Sequence, residues 1–89
     1  MAEVEFSGAV VFRLAGLKRI RAEGQTLGQV LQDLETRLPV LKGSLVSGQN
    51  PGKLYFIYVD GKDVRLGGGL DMPVGENTVI RIMNALTGG

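Results

Sequence analysis

One stretch in the middle of the chain limits the possible folds more than any other feature: a single amphipathic helix whose start and stop are both written in its residues. Thr26 followed three positions later by Gln29 is a capping-box pattern, with Thr26 as N-cap. Leu27, Val30, Leu31, Leu34 and Leu38 then recur at i, i+3, i+4, i+7 and i+11, which makes one continuous apolar stripe. Gln32, Asp33, Glu35 and Arg37 fall on the other faces. Pro39 disfavours α geometry at Leu38, so the helix is predicted to end about there. A lone helix with one apolar stripe needs one sheet face to cover, and the rest of the chain must supply it. The whole sequence has 89 residues, room for one small domain with a single layered core.

The flanking segments read as that sheet. Residues 2–6 alternate in the period of a half-buried strand, with Val4 and Phe6 inward and Glu3 and Glu5 outward. Ser7-Gly8 interrupts it, and residues 9–14 (AVVFRL) read equally as strand or loop. After a turn at Ala15-Gly16, residues 18–22 form a second strand, with Ile20 and Ala22 inward and Arg19 and Arg21 outward. Residues 43–52 are rich in Gly, Ser, Asn and Pro and predict a loop. Residues 55–59 (YFIYV) are strong β-formers, Asp60-Gly61 is a hairpin turn, and residues 63–65 make a short returning strand. Two further turns, Gly67-Gly68-Gly69 and residues 72–75, precede a last strand at 78–83. The order β-β-α-β-β-β is an α+β plan, that of the β-grasp or ubiquitin-like fold: a mixed five-stranded sheet with one main helix packed on one face. Its first and last strands are expected side by side and parallel at the centre. The expected division is a domain over 1–83 and a flexible tail over 84–89.

Composition removes most chemistry. The chain has no Cys and no His, so thiolate nucleophiles, disulfides, zinc sites and Ser-His-Asp machinery are excluded. Ten Lys and Arg against nine Asp and Glu leave a net charge of +1, which gives no bulk attraction toward nucleic acid or a membrane surface. The apolar runs are short and the first residues carry an acid, not a basic leader, so the expected residence is the cytoplasm. Lys18, Arg19 and Arg21 are the one basic cluster, and pairing across a hairpin with Glu3 and Glu5 accounts for it better than a phosphate site. Gly67-Gly68-Gly69 lacks the Gly-Lys-Ser/Thr continuation of a phosphate loop, and Asp60, Asp63, Asp71 and Glu76 sit beside turns as ordinary solvated acids.

Two features remain. If Ile57, Val59, Ile80 and Ile82 pack inward, then Phe56, Tyr58, Val79 and Met83 form an apolar surface around Arg81 on the face the helix leaves uncovered. Aromatics, Met and Arg together suit a partner-docking surface, unless residues 9–14 or 43–52 fold over it. The second feature is Gly88-Gly89 after a short tail, which reads either as a frayed end without a role or as the reactive end of the molecule. Two residues without Cβ make a thin thread able to enter a narrow enzyme tunnel, and the reactive group would be the α-carboxylate of Gly89.

On these grounds the chain resembles the ubiquitin-like sulfur carriers, the family of the thiamine sulfur carrier and the molybdopterin synthase small subunit. Residues 26–28 (TLG), 51–54 (PGKL), 57–59 (IYV), 63–65 (DVR), 68–70 (GGL) and Gly88-Gly89 are similar to carriers of the cysteine-biosynthesis type in particular. Many relatives have Pro where this chain has Asn84. The resemblance implies a protein that is not itself an enzyme and holds neither metal nor cofactor. An E1-like adenylyltransferase uses ATP and Mg²⁺ to adenylate the Gly89 carboxylate. A sulfurtransferase or sulfide source then converts it to a thiocarboxylate, and an acceptor synthase, PLP-dependent or making a thiosugar or cofactor, takes the sulfur. Ala85, Leu86, Thr87 and Gly88 would lie in the partner's groove with Leu86 as the apolar anchor, and the sheet face would supply recognition. Two other roles fit the same resemblance. One is a modifier joined through Gly89 to lysines; the other is a structural subunit with its tail inserted in a catalytic partner, as in molybdopterin synthase.

Overall fold

The computed structural model describes residues 1–84. The main helix, α2 (Leu27–Arg37), begins where the capping residues place it: the Thr26 hydroxyl accepts the Gln29 N–H at 3.3 Å. The Gln29 side chain reaches back one residue further than in the usual box and accepts the Gln25 N–H at 2.8 Å. The helix closes at Arg37; Leu38 is its C-cap, and Pro39 opens a 3-10 turn over Pro39–Leu41. Leu27, Val30, Leu31 and Leu34 are fully buried, so the stripe is the face that meets the sheet.

The sheet has five strands: β1 (Ala2–Ser7), β2 (Arg19–Ala22), β5 (Tyr55–Val59), β6 (Lys62–Asp63) and β7 (Val79–Asn84), in the order β2-β1-β7-β5-β6. As expected of a β-grasp fold, β1 and β7 run parallel at the centre, with Val4 opposite Ile80 and Phe6 opposite Ile82. The pairs β1–β2 and β5–β7 are antiparallel. Val4, Ile57, Ile80 and Ile82 point to the helix and are buried with its leucines in one core. At the β5–β6 turn, Asp60 and Gly61 both have positive φ, 48° and 86°, the primed geometry that matches the twist of a hairpin.

Four local expectations change. Residues 9–14 are neither strand nor loop: Val10–Arg13 form a short helix, α1, because Val10 is drawn fully into the core while Phe12 is left outside. The stretch 43–52 contains a two-stranded ribbon, β3 (Val46–Ser47) with β4 (Asn50–Pro51). The strand expected over 63–65 stops at Asp63, since the Asp63 carboxylate accepts the Arg65 N–H at 2.9 Å and starts a 3-10 turn at Val64–Leu66. The last strand includes Asn84, which pairs with Tyr55, so the tail expected over 84–89 loses its first residue to the sheet.

Glu35, read from sequence only as an outward helix position, holds the 43–52 region in place. Its two carboxylate oxygens accept the backbone N–H groups of Gly43, Leu45 and Val46 at 3.1, 2.9 and 3.0 Å. That clamp delivers Leu45, fully buried, to the core. Gly52 is needed on the facing segment, because a Cβ there would strike the Ser44 carbonyl. Replacing Glu35 by Ala is expected to cost about 1–3 kcal/mol, the range for unpairing backbone donors from a charged acceptor. Urea unfolding measures it; a change below about 0.5 kcal/mol would show that water replaces the carboxylate without loss.

Candidate functional site

Alternation in two adjacent strands builds the open face. In β5, Tyr55, Ile57 and Val59 are buried and Phe56 and Tyr58 half-buried on the opposite side; in β7, Ile80 and Ile82 are buried, Val79 and Met83 half-buried and Arg81 exposed. The register sets Phe56 beside Met83 and Tyr58 beside Arg81. The structure therefore brings the five expected docking residues together on one side of the sheet. Each of the two segments that were candidates to cover them sends a residue to the core, where Val10 and Leu45 are fully buried.

The electrostatics of this face were only partly legible. Arg81 does not stand alone. Its Nε lies 3.2 Å from Oε1 of Glu5, whose other oxygen is 3.8 Å from Nε of Arg19, so one carboxylate on β1 is shared by arginines from both neighbouring strands. The pairing of Glu5 with Arg19 is the one expected from the hairpin. Arg21 stands opposite Glu3, and its guanidinium donates to the Met1 carbonyl at 3.3 Å. These exposed pairs contribute little stability, but they give the β1–β2 half of the face a fixed charged pattern beside the apolar half.

A second arginine was missed. The Arg65 guanidinium lies over the Phe56 ring, 4.8 Å from its centroid, and donates to both oxygens of Asp63 at 3.3 and 3.1 Å. Side-chain hydrogen bonds from Arg65, with its backbone N–H, hold the Asp63 carboxyl below the usual carboxylate range. With a lowered folded-state pKa, the pair is intact at neutral pH and is lost only as pH falls below the ordinary carboxylate value. Asp63 was read as a plain turn acid; the available signal was an Arg two residues on, in a turn that an Asp can cap.

At the end of β7 the Asn84 side chain accepts the Val10 N–H at 2.6 Å, tying the strand to the start of α1. The other expected site residues, Ala85, Leu86, Thr87, Gly88 and Gly89, lie outside the described residues. Among the described residues no group of three or more Asp and Glu comes together in a way that could hold a metal ion. Nor is any described helix long and apolar enough to cross a membrane.

The comparisons with known proteins agree with this geometry. The model of the ThiS family matches residues 9–89. The chain is 38% identical over 77 residues to the sulfur carrier protein CysO of Mycobacterium tuberculosis, covering 83% of each. Among solved structures it is similar to a chain of the Amycolatopsis orientalis BexX/CysO complex, with a TM-score of 0.83 and 28% identity over 100% of both chains. The small archaeal modifier protein 1 of Methanosarcina acetivorans shares the fold, with a TM-score of 0.82 at 20% identity over 99% of this chain and 95% of that one. Sheet order, helix and sequence thus converge: the chain belongs to the ThiS family and is a sulfur carrier, a protein on which partner enzymes act and not an enzyme itself.

Proposed function

We propose that the sulfur is carried as a thiocarboxylate on the α-carboxyl of Gly89, in a pathway of the cysteine-biosynthesis type. The observation that carries this reading is the placement of the open apolar strip: Phe56 and Met83 lie beside each other on the strand pair whose inner member, β7, leads into residues 85–89. A partner that docks on that strip is positioned to receive the segment that follows. A carboxylate is a poor electrophile, so an E1-like adenylyltransferase supplies ATP and Mg²⁺; the carboxylate oxygen attacks the α-phosphorus, pyrophosphate leaves, and an acyl-adenylate forms. Sulfide then attacks the acyl carbon; the C–O bond to AMP breaks, AMP leaves and a C–S bond takes its place. Where a sulfurtransferase persulfide is the attacking group, AMP leaves in the same way and the acyl disulfide that forms is cleaved by a thiol reductant, which ends as a disulfide while the thiocarboxylate is released. The thiocarboxylate is a soft anion able to attack an activated acceptor held by a synthase, PLP-dependent or making a thiosugar or cofactor. The chain itself contributes recognition and reach, and no metal or cofactor of its own. We place this cycle in the cytoplasm, where the ATP it consumes is available.

Intact mass after incubation with an E1-like enzyme, ATP, Mg²⁺ and sulfide tests the reading. Exchange of one carboxyl oxygen for sulfur adds ~16 Da, and that gain is expected on the full chain. Lysine-linked high-mass adducts in cells without the gain would mark a modifier instead. Tight binding to a partner with neither change would mark a structural subunit.

A further inference from the structure

The end of the sheet where β1 and β7 both finish carries a feature that the open face does not explain. Phe12, on α1, is 87% exposed. Single exposed apolar side chains are common and by themselves mean little. This one is presented on a segment held at three points. Val10 is fully buried, and its N–H is taken by Asn84 at 2.6 Å. Arg13 donates to the hydroxyl of buried Tyr55 at 2.5 Å and to the Val40 carbonyl at 3.2 Å. A shallow depression lined by Phe6, Val11, Phe12 and Lys18 opens beside it. From Ser7 to Ala22 the chain carries no acid; Arg13 is engaged by Tyr55 and Val40, Arg19 by Glu5 and Arg21 by the Met1 carbonyl, and Lys18 is the cation that lines the depression.

We infer that α1 is a second docking point for the enzyme that activates the carrier, with Phe12 entering an apolar pocket rimmed by acidic residues on that partner. The inference rests on the proposed carrier reading and adds to it. The argument for this occupant is position and charge. Asn84 is the last residue of β7, and its side chain is bonded to the Val10 N–H at the start of α1, so whatever receives the chain beyond Asn84 arrives beside α1. The Lys18 ammonium, which lines the depression beside Phe12, selects an acidic rim on the visitor. Docking is then bipartite, with the strip of Phe56 and Met83 as one point and α1 at the end of the sheet as the other.

The test is the rate of thiocarboxylate formation against carrier concentration, with the purified E1-like enzyme, ATP, Mg²⁺ and sulfide, for the full-length chain and for Phe12→Ser and Phe12→Leu. Loss of an aromatic anchor at an interface is expected to raise KM about tenfold or more, with kcat at saturation unchanged. Phe12→Leu, which keeps an apolar side chain, should recover most of the difference. Melting temperatures should match the parent, since the ring is outside the core and Ser and Phe have similar helix propensities. An unchanged KM for Phe12→Ser overturns the inference. So does concentration-dependent self-association of the parent that Phe12→Ser abolishes, because the occupant is then a second copy. The chain lacking Gly88-Gly89 is run in the same assay. If it is inactive while Phe12→Ser is silent, only the α1 inference falls; if it is still activated, the carrier reading falls.

Discussion

Deleting Gly88 and Gly89, or replacing Gly89 by Trp, is expected to abolish activation while leaving the melting temperature within about 1–2 °C of the parent, well under the 4–8 °C that 1 kcal/mol moves a domain of this size. The two halves of this result have separate causes. On the proposed reading activation requires the Gly89 carboxylate to reach an adenylating centre, and a side chain as wide as indole would block a tunnel shaped for a thread without Cβ. Stability is expected to be set elsewhere: among the described residues the buried apolar core runs from Ala2 to Ile82. Thermal melts and the intact-mass assay on the same samples check both. A drop of many degrees on deletion would mean that the glycines help hold the fold, and the carrier reading would not survive it. Full activation of the Gly89→Trp chain would equally sink it.

Phe56→Glu and Met83→Glu are expected to weaken binding to the activating enzyme by about 2 kcal/mol or more, roughly thirtyfold in Kd, while the fold persists. These two residues are register partners on β5 and β7 and both are half-buried on the open side, so a carboxylate introduced at either is wet in the free protein. In the complex it is stripped of water against an apolar surface, and that desolvation is what the measurement reads. Titration calorimetry with the adenylating partner gives the affinity, and circular dichroism the fold. Unfolding of both variants would place Phe56 and Met83 in the interior; unchanged affinity would remove the β5–β7 strip from the docking surface. Phe56→Glu also ends the stacking of Arg65 on the ring, so Arg65→Ala is the companion that separates the two contributions.

The elements most readable from sequence were those whose cause lies within a few residues. Thr26, Gln29 and Pro39 set the limits of α2 to within one residue, because a cap and a proline act on their own turn of the helix. Asp60-Gly61 set the β5–β6 turn in the same way. Alternation in β5 and β7 identified which side chains face away from the helix, since successive strand residues point to opposite faces whatever the partner. Residues 9–14 were the opposite case. Their apolar run has no period of its own, and α1 forms there because the chain must turn from β1 while delivering Val10 to a core built mostly by distant residues.

The site divides along the same line. Its membership, Phe56, Tyr58, Val79, Arg81 and Met83, was present in the strand patterns. Its electrostatics were not. Glu5 is held by Arg81, 76 positions away, as well as by Arg19 across the hairpin, and Asn84 meets Val10 across 74 positions. A local pattern records which way a side chain points; which charge it finds there depends on the order in which strands are laid side by side. In this protein the primary structure alone determined the helix, the faces of the strands and the chemistry ruled out by missing Cys and His. Only the tertiary structure decided that one carboxylate serves two arginines, that Arg65 shields Phe56, and that the root of the tail is bonded to α1. Helix caps and side-chain periodicity are properties of neighbours in the chain, whereas these contacts exist only once β1 and β7 have come together at the centre of the sheet.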